Sequence, residues 1–589
     1  MLDSLIFNDL KQKLRFGMVG VVNTLVAYLA FVAIYHLLDN YIVASVLSYL
    51  VGMLVSYTLN RSFVFKAEAS SSQIIPFCVV NFTALACSTL VLHTLVSSFG
   101  FIVYLAQVVA IGASMVVNYL GYKKVFTQGV SIQSILGDIR ERSGELNALS
   151  LVQWGLFVVL LGVTLFNVQM SVVSNIAHDA LPYMTSYTEK FVSEGRWINF
   201  AFFHTLREIP SPLAVTICDL SIFYFGYLLA KGVRKDTWTA LCFGLLVVNV
   251  PYFTMLLKWP MTLLPGCFML ALFAHLRSRI NPHALLVISG ILLFATYPAF
   301  YFLMPLLFLS ELRKASYFNI FKFLVVWALG YVLGYVVANG LVYAYTYLFS
   351  DHASFIHFAD WRRSTPSNSV SALIENIGKS VDNFNRNALY LSALTPLLFV
   401  PSVCLFIWAL KAHFKYTAVV VLVVISIYAS VIPFGVTMPL RSGVTLPIGL
   451  GMLVLLVDKA WLRTALLVLL FIPFSYQMHD YNYGYTFSRD VMANMLEKND
   501  KQQYLTQPEN FDEILFHVDQ PKTSEFMLQA TGSDAFKVPS NLRLHFLYPY
   551  LYARDWPRSK MDTIDEERAQ ITGDITYEVK DKVLHVYIY

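Results

Sequence analysis

The chain has 589 residues, 57% hydrophobic and only 13% charged, with a net charge of +5 and a mean hydropathy of +0.59. Soluble domains carry about a quarter charged residues, so these values exclude a soluble, disordered, collagenous or disulfide-scaffold protein and point to a polytopic membrane protein. The small positive charge argues for loops facing anionic lipid, not for nucleic acid.

A transmembrane helix needs ~20 mostly apolar residues. Four such runs come first, near 16–38, 41–60, 74–98 and 101–121. Residues 1–15 are polar and lead into a full-length span, so no cleaved signal is expected. Cations flank the outer ends of this block: Lys11, Lys13 and Arg15, then Arg61 and Lys66, then Lys123, Lys124, Arg140 and Arg142. The positive-inside rule places both its ends in the cytoplasm. A polar stretch over 131–149 reads as a cytoplasmic linker. About eleven further runs follow, near 150–172, 212–230, 237–257, 261–276, 283–297, 299–312, 318–347, 390–410, 416–434, 444–457 and 463–477. Basic clusters recur after every second run. Pro298 divides 283–312 in two. The expected class is an all-α polytopic protein of about 15 spans. Segments 173–211 and 348–389 then lie outside, together with everything from 478. That last stretch holds 30 of the 79 charged residues and a net charge of −6. It reads as a small α+β domain, and the alternation from Asp574 to Tyr589 predicts a β-hairpin. The six cysteines all sit in apolar runs without metal spacing, so neither disulfides nor zinc are expected.

Two stretches of the first block repeat. Ser56-Tyr57-Thr58-Leu59-Asn60-Arg61-Ser62-Phe63-Val64-Phe65 closes the second run, and Asn118-Tyr119-Leu120-Gly121-Tyr122-Lys123-Lys124-Val125-Phe126 closes the fourth. This is a parallel repeat of two spans per unit. In each copy Asn and Tyr approach the cytoplasmic end, a cation stands at headgroup level and aromatics anchor in the interface. Such a cluster suits a lipid phosphate, or simply marks the cytoplasmic side. With Arg15-Phe16, Val19-Gly20 and Asn23-Thr24 in the first run, residues 10–130 resemble the GtrA-like family of four-helix membrane domains. The resemblance implies flipping or presentation of polyprenyl-phosphate sugars. It makes Arg15, Asn60, Arg61, Asn118, Lys123 and Lys124 lipid-phosphate candidates. Self-association through this block is a further expectation.

The external segment after the fifth run contains His178-Asp179, Tyr183, Tyr187, Glu189-Lys190 and Glu194-Gly195-Arg196-Trp197, with Arg207 beyond. Glycosyl transfer from a lipid phosphate needs a carboxylate to take the acceptor's proton and cations to hold the departing phosphate. It also benefits from aromatic faces against the sugar. Asp179 is the candidate base, or alternatively a helix N-cap. Glu194 is a second acid or a partner of Arg196. Lys190, Arg196 and Arg207 are candidate phosphate ligands; Tyr183, Tyr187 and Trp197 are candidate sugar platforms. Trp361-Arg362-Arg363 can clamp a phosphate and stack a sugar, or anchor the interface. Arg441 is a lone outside cation, and Lys258-Trp259-Pro260 reads as an interface anchor. His352 and His357 with Asp351 and Asp360 are a disfavoured metal set; no cofactor is expected. The aromatic run Phe318–Tyr347 either lines a groove for a prenyl chain or packs.

The Asp179 then Glu194-Gly195-Arg196-Trp197 arrangement resembles the glucosyl transferase II (GtrII-type) family and, more loosely, C-type glycosyltransferases, over about 150–480. The resemblance implies an inverting transferase of the bacterial inner membrane. It would move a hexose, glucose by this likeness, from undecaprenyl phosphate to an envelope glycan such as O-antigen on the periplasmic side. The competing expectation is a transporter that moves the lipid-linked sugar and makes no bond.

Overall fold

The computed structural model describes residues 12, 15–23, 25–26, 29–30, 51–67, 73–93, 95, 103–128, 148–173, 186–350, 352–357, 364–392, 396–531, 547–567 and 572–588. The chain divides into two compact units, Met1–Leu156 and Phe157–Tyr589. It is mostly helical with one small sheet near its C-terminal end.

In the first unit, helices over 15–23 and 51–59 join Ile74–His93 and Val103–Gln128. Gly121 lets the last two helices approach closely: a Cβ there would meet Val80 Cγ1 at 2.4 Å. The core is the motif itself. Phe65, Phe77, Tyr122 and Phe126 are buried with Val19 and Val64. Phe77 stacks on Tyr122 at 4.7 Å, and Phe65 meets Phe126 at 5.6 Å. Both copies of the repeat therefore contribute aromatics to one cluster. The expected interface anchoring is corrected for Phe65 and Phe126, which are core residues, whereas Phe63 is exposed.

In the second unit, five helices among the described residues are long and apolar enough to cross a membrane: Gln153–Val172, Ser211–Val233, Tyr317–Phe349, Phe414–Phe434 and Ala460–Asn499. The expected count of about 15 is not confirmed: parts of the first-block runs lie outside the described residues, and several apolar helices of the second unit are shorter than a span. Proline, which lacks an N–H and favours helix starts, shortens several of these runs, although Pro265, Pro401 and Pro473 lie inside helices. The apolar stretch 237–312 breaks into Thr237–Val248, Pro251–Leu256, Pro260–Leu276, Pro282–Phe294, a 3₁₀ segment Pro298–Phe308 and Leu309–Lys314. Pro298 does separate two elements, but the second is no span-length helix. The run near 390–410 is also divided, between Val370–Ser392 and Pro396–Ala412.

Two helices that bear on the site meet backbone to backbone. A Cβ on Gly290 would lie 2.3 Å from the Gly330 carbonyl oxygen, and one on Gly334 would lie 2.4 Å from that of Gly290. Small residues four apart permit this approach. It locks Pro282–Phe294 against Tyr317–Phe349 and fixes Tyr331 and Tyr335 beside Phe294.

The charge break at 478 falls inside a helix, because Ala460–Asn499 runs on for 40 residues. At 1.5 Å per residue this is about 60 Å, twice a hydrocarbon core. Its end supplies Met492 and Leu496 to the core of a four-stranded sheet. The strands are β1 (Glu513–Val518), β2 (Met561–Asp565), β3 (Ile575–Lys580) and β4 (Val583–Ile588). β1 runs parallel to β2 and β4, while β3 and β4 form an antiparallel hairpin. Asp581 and Lys582 turn it with φ of 49° and 64°, the backbone a two-residue hairpin turn requires.

Candidate functional site

A short helix, Thr188–Glu194, begins the arrangement. Gly195 ends it with φ of 72°, the left-handed conformation that closes a helix. No side chain fits there: a Cβ would stand 2.6 Å from Ile356 Cδ1 and 3.0 Å from the Ala338 Cβ. The sharp turn brings Glu194 and Arg196 to the same cavity. Arg196 Nη2 lies 2.5 Å from Glu194 Oε2, and Lys190 Nζ lies 3.3 Å from Glu194 Oε1. Glu194 thus joins two cations. The Arg196 guanidinium carbon stands 5.5 Å from the centre of the Tyr297 ring. Arg196 is 8% exposed, and a buried guanidinium persists only where charge and hydrogen bonds compensate its lost hydration.

The cavity measures about 410 Å³, inside the ~300–1,000 Å³ range of small-molecule sites. Its walls come from distant segments. Phe294 and Tyr297 stand on one side, Tyr331 and Tyr335 on the next, and the loop with Pro433 and Phe434 closes a third. Tyr335 lies 5.8 Å from the Phe434 ring. The Tyr297 hydroxyl and Ser442 Oγ are 3.2 Å apart. An acid–arginine pair against five aromatic rings and several hydroxyls can bind a polar, ring-shaped ligand carrying an anion: the charge meets Arg196, and apolar sugar faces meet the tyrosines.

The other expected residues fall in several places. Asp179, Tyr183, Trp361, Arg362 and Arg363 lie outside the described residues, as do Asp351 and Asp360 of the disfavoured metal set. Trp197 is half-buried and starts the next helical turn, but does not line the cavity. Tyr187 is buried, its hydroxyl accepting from Asn199 Nδ2 at 3.1 Å; it is a packing residue. Arg207 is exposed beside Glu208 at 3.3 Å and is not at the cavity. Arg441 precedes the lining residue Ser442 and lies 4.3 Å over the Trp259 ring. Among the described residues no cluster of three His, Cys, Asp or Glu could hold a metal. All six cysteines are free thiols.

Lys258 corrects an expectation. It is 1% exposed and donates to Asn482 Oδ1 at 2.7 Å, so it is no interface anchor. Asn482 continues the chain to Ser171 Oγ at 2.8 Å, and Asn167 donates to Ser475 Oγ at 2.7 Å. This buried polar seam ties the first long helix of the unit to the last. Tyr297, Tyr331, Tyr335 and Ser442 were missed as site residues, although the aromatic run Phe318–Tyr347 had marked a groove as one alternative.

In the first unit, the Asn60-Arg61-Ser62-Phe63-Val64 motif forms a single π-helical turn, a feature frequent at functional sites. Phe65 N donates to Asn60 O at 2.9 Å. Asn60 is 2% exposed; its Nδ2 donates to Ser56 O at 2.8 Å. Arg61 lies 5.3 Å over the Tyr57 ring, and Arg15 lies 5.3 Å over that of Phe63. Asn118 is half-buried and Lys123 exposed on the Val103–Gln128 helix, and Lys124 belongs to the same turn.

Residues 15–127 match the family described as GtrA/DPMS, transmembrane domain. The chain is 30% identical over 135 residues to the uncharacterized membrane protein YngA of Bacillus subtilis (strain 168), spanning 22% of this chain and 90% of that protein. No solved structure matches the chain.

Proposed function

We propose, from the premise that the chain belongs through residues 15–127 to the GtrA/DPMS transmembrane-domain family, that its second unit is a membrane glycosyltransferase. Membership ties the chain to polyprenyl-phosphate sugar metabolism, by flipping or by transfer. Transfer is our reading of residues 157–589. The observation that carries it is the cavity in which Glu194 and Arg196 face Tyr297, Tyr331, Tyr335 and Ser442. An acid–arginine pair fixed against sugar-sized aromatic walls suits a sugar phosphate held for reaction. We assign the body to the C-type architecture and the cavity and C-terminal sheet to the periplasmic side of the inner membrane.

In this mechanism a polyprenyl-phosphate hexose places its sugar in the cavity. Arg196, oriented by Glu194 and the Tyr297 face, neutralises the phosphate as the bond from the anomeric carbon to its oxygen breaks. An acceptor hydroxyl of an envelope glycan attacks the anomeric carbon from the opposite side. Asp179 takes its proton, and polyprenyl phosphate leaves. Single displacement inverts the anomeric centre. Arg441, Lys190 and Trp361-Arg362-Arg363 are secondary phosphate and sugar contacts. Arg15, Asn60, Arg61, Asn118, Lys123 and Lys124 hold lipid phosphate in the first unit and feed the donor. Covalent linkage of supplier and consumer raises the donor's effective concentration.

The test is purified protein in liposomes with synthetic polyprenyl-phosphate glucose and lipopolysaccharide acceptors. New glycosidic product that is lost in Asp179→Asn and Arg196→Gln, both still folded, supports transfer. Redistribution of the lipid across the bilayer without product assigns the whole chain to transport instead.

A further inference from the structure

The Val370–Ser392 helix is 23 residues long, or about 34 Å, and its side chains fall into three stripes. The first faces the protein and is polar. Asn376, Ser380, Asn383 and Asn387 are 1%, 7%, 2% and 1% exposed. They recur every three or four residues, the spacing of one helical face. Asn376 Nδ2 donates to Thr365 O at 2.6 Å and Ser367 Oγ at 2.9 Å. Ser380 Oγ donates to Tyr428 O at 2.8 Å, and Asn383 Oδ1 accepts from Met438 N at 3.3 Å. The Asn387 backbone carbonyl accepts from the Tyr252 hydroxyl at 3.2 Å.

The second stripe is apolar and faces away from the protein: Val370, Leu373, Ile374, Ile377 and Val381 are exposed by 75%, 42%, 64%, 45% and 51%. The third is charged: Glu375, Lys379, Asp382 and Arg386. Lys379 Nζ reaches Glu375 Oε1 at 3.0 Å, and the stripe sums to zero charge.

Neither water nor hydrocarbon alone suits this helix. Five exposed branched side chains in water forgo roughly 1.5–3 kcal/mol each. A bilayer-spanning placement would put four charges in hydrocarbon at about 2.5–3.5 kcal/mol each. The two stripes overlap over 375–381, where apolar and charged side chains occupy different sides of the same turns, so over those turns each side needs its own environment. Only an axis parallel to an apolar–water boundary meets that condition. The apolar surface also continues onto the next helix, Pro396–Ala412, through exposed Phe399, Val400, Val403 and Ile407.

We infer that Val370–Ser392 is an in-plane helix that docks on the lipid surface, its apolar stripe in the outer edge of one leaflet and its charged stripe in water. The partner is the bilayer itself, and the neutral stripe makes the docking insensitive to lipid charge. The helix also carries a wall of the cavity. Thr365 N donates to Phe434 O at 3.1 Å and Ser367 N donates to Pro433 O at 3.0 Å, and both acceptor residues line the cavity. The docked helix therefore sets the height of that wall against the membrane surface. This holds whether the unit transfers sugar or transports it.

The experiment uses the full chain in nanodiscs, with Cys78→Ser, Cys87→Ser and Cys404→Ser as background and single spin labels at Ile374→Cys, Ile377→Cys, Val381→Cys, Glu375→Cys and Asp382→Cys. Collision with oxygen reports lipid, and collision with a nickel chelate reports water. The expected oxygen-to-nickel ratio is several-fold higher at 374, 377 and 381 than at 375 and 382, without drift along the helix. Salt and anionic lipid leave it unchanged. Equal nickel access at all five sites, protection of the apolar sites from both reagents, or steady drift from one end to the other each overturns the inference. A photoreactive benzoylphenylalanine at position 377 reads the same face without cysteine: lipid adducts support docking, and cross-linked dimers refute it.

Discussion

Two arginines in this chain lie over tyrosine rings at nearly the same distance, and their surroundings differ. Arg61 in the first unit is half-buried, 5.3 Å over Tyr57 at the end of a helix. Arg196 in the second unit is 8% exposed, 5.5 Å over Tyr297, with Glu194 Oε2 at 2.5 Å and a cavity beside it. A half-exposed guanidinium keeps part of its hydration, so its ring contact is worth ~0.5–1 kcal/mol. A buried one loses that hydration and depends on its carboxylate. The first can shift to meet a headgroup; the second is held in one geometry. The family likeness covers only the first, so its meaning cannot be transferred to the second.

The largest break in this comparison is Arg196→Ala. Removing one partner of a buried pair costs about 3–5 kcal/mol, and removing a preorganised donor costs on the order of 10²–10³-fold in rate. Thermal unfolding in detergent and the liposome transfer assay should both register it. A variant with wild-type transfer would remove Arg196 from the site. Gly195→Ala comes next. Its positive φ alone costs ~1–3 kcal/mol in a residue with a Cβ, and the Ile356 contact adds to that. Pairing it with Ile356→Ala should restore only part of the loss; full recovery would show that the backbone conformation does not matter. Tyr297→Phe keeps the ring over Arg196 and deletes the hydrogen bond to Ser442, worth ~1 kcal/mol. A melting temperature lowered by about 1–3 °C, as a lost bond of that size implies, and a rise of about fivefold in donor KM are expected. Arg61→Gln is the smallest effect on stability, within ~0.5 kcal/mol. Lipid-phosphate retention by the full chain, read by native mass spectrometry, should nonetheless weaken. Equal lipid retention would reduce Arg61 to a topology marker.

Parts of this arrangement were readable beforehand. Glu194-Gly195-Arg196 stood out because its members are neighbours, and local spacing carries local geometry. Asn60-Arg61 and its aromatics stood out through repetition. Tyr297, Tyr331, Tyr335 and Ser442 share no local pattern, since they come from three segments that meet only after glycine-mediated helix packing. Lys258 looked like a boundary residue because it follows an apolar run and precedes a tryptophan. Its burial depends on Asn482, 224 positions away.

Composition and charge order were sufficient for a membrane protein with helices and a polar C-terminal region, because hydropathy is a sum over residues. The hairpin was equally accessible, because strand alternation and its turn are local. The number of long helices, the end of the last one and the walls of the cavity were decided by packing. Prolines cut apolar runs at points that hydropathy averages over, and the last long helix continues past the polar boundary because its end is buried under a sheet. The Val370–Ser392 helix shows the same limit: its amphipathic period lies in the chain, but only the folded neighbours settled that its asparagines turn inward and its aliphatic side chains face out.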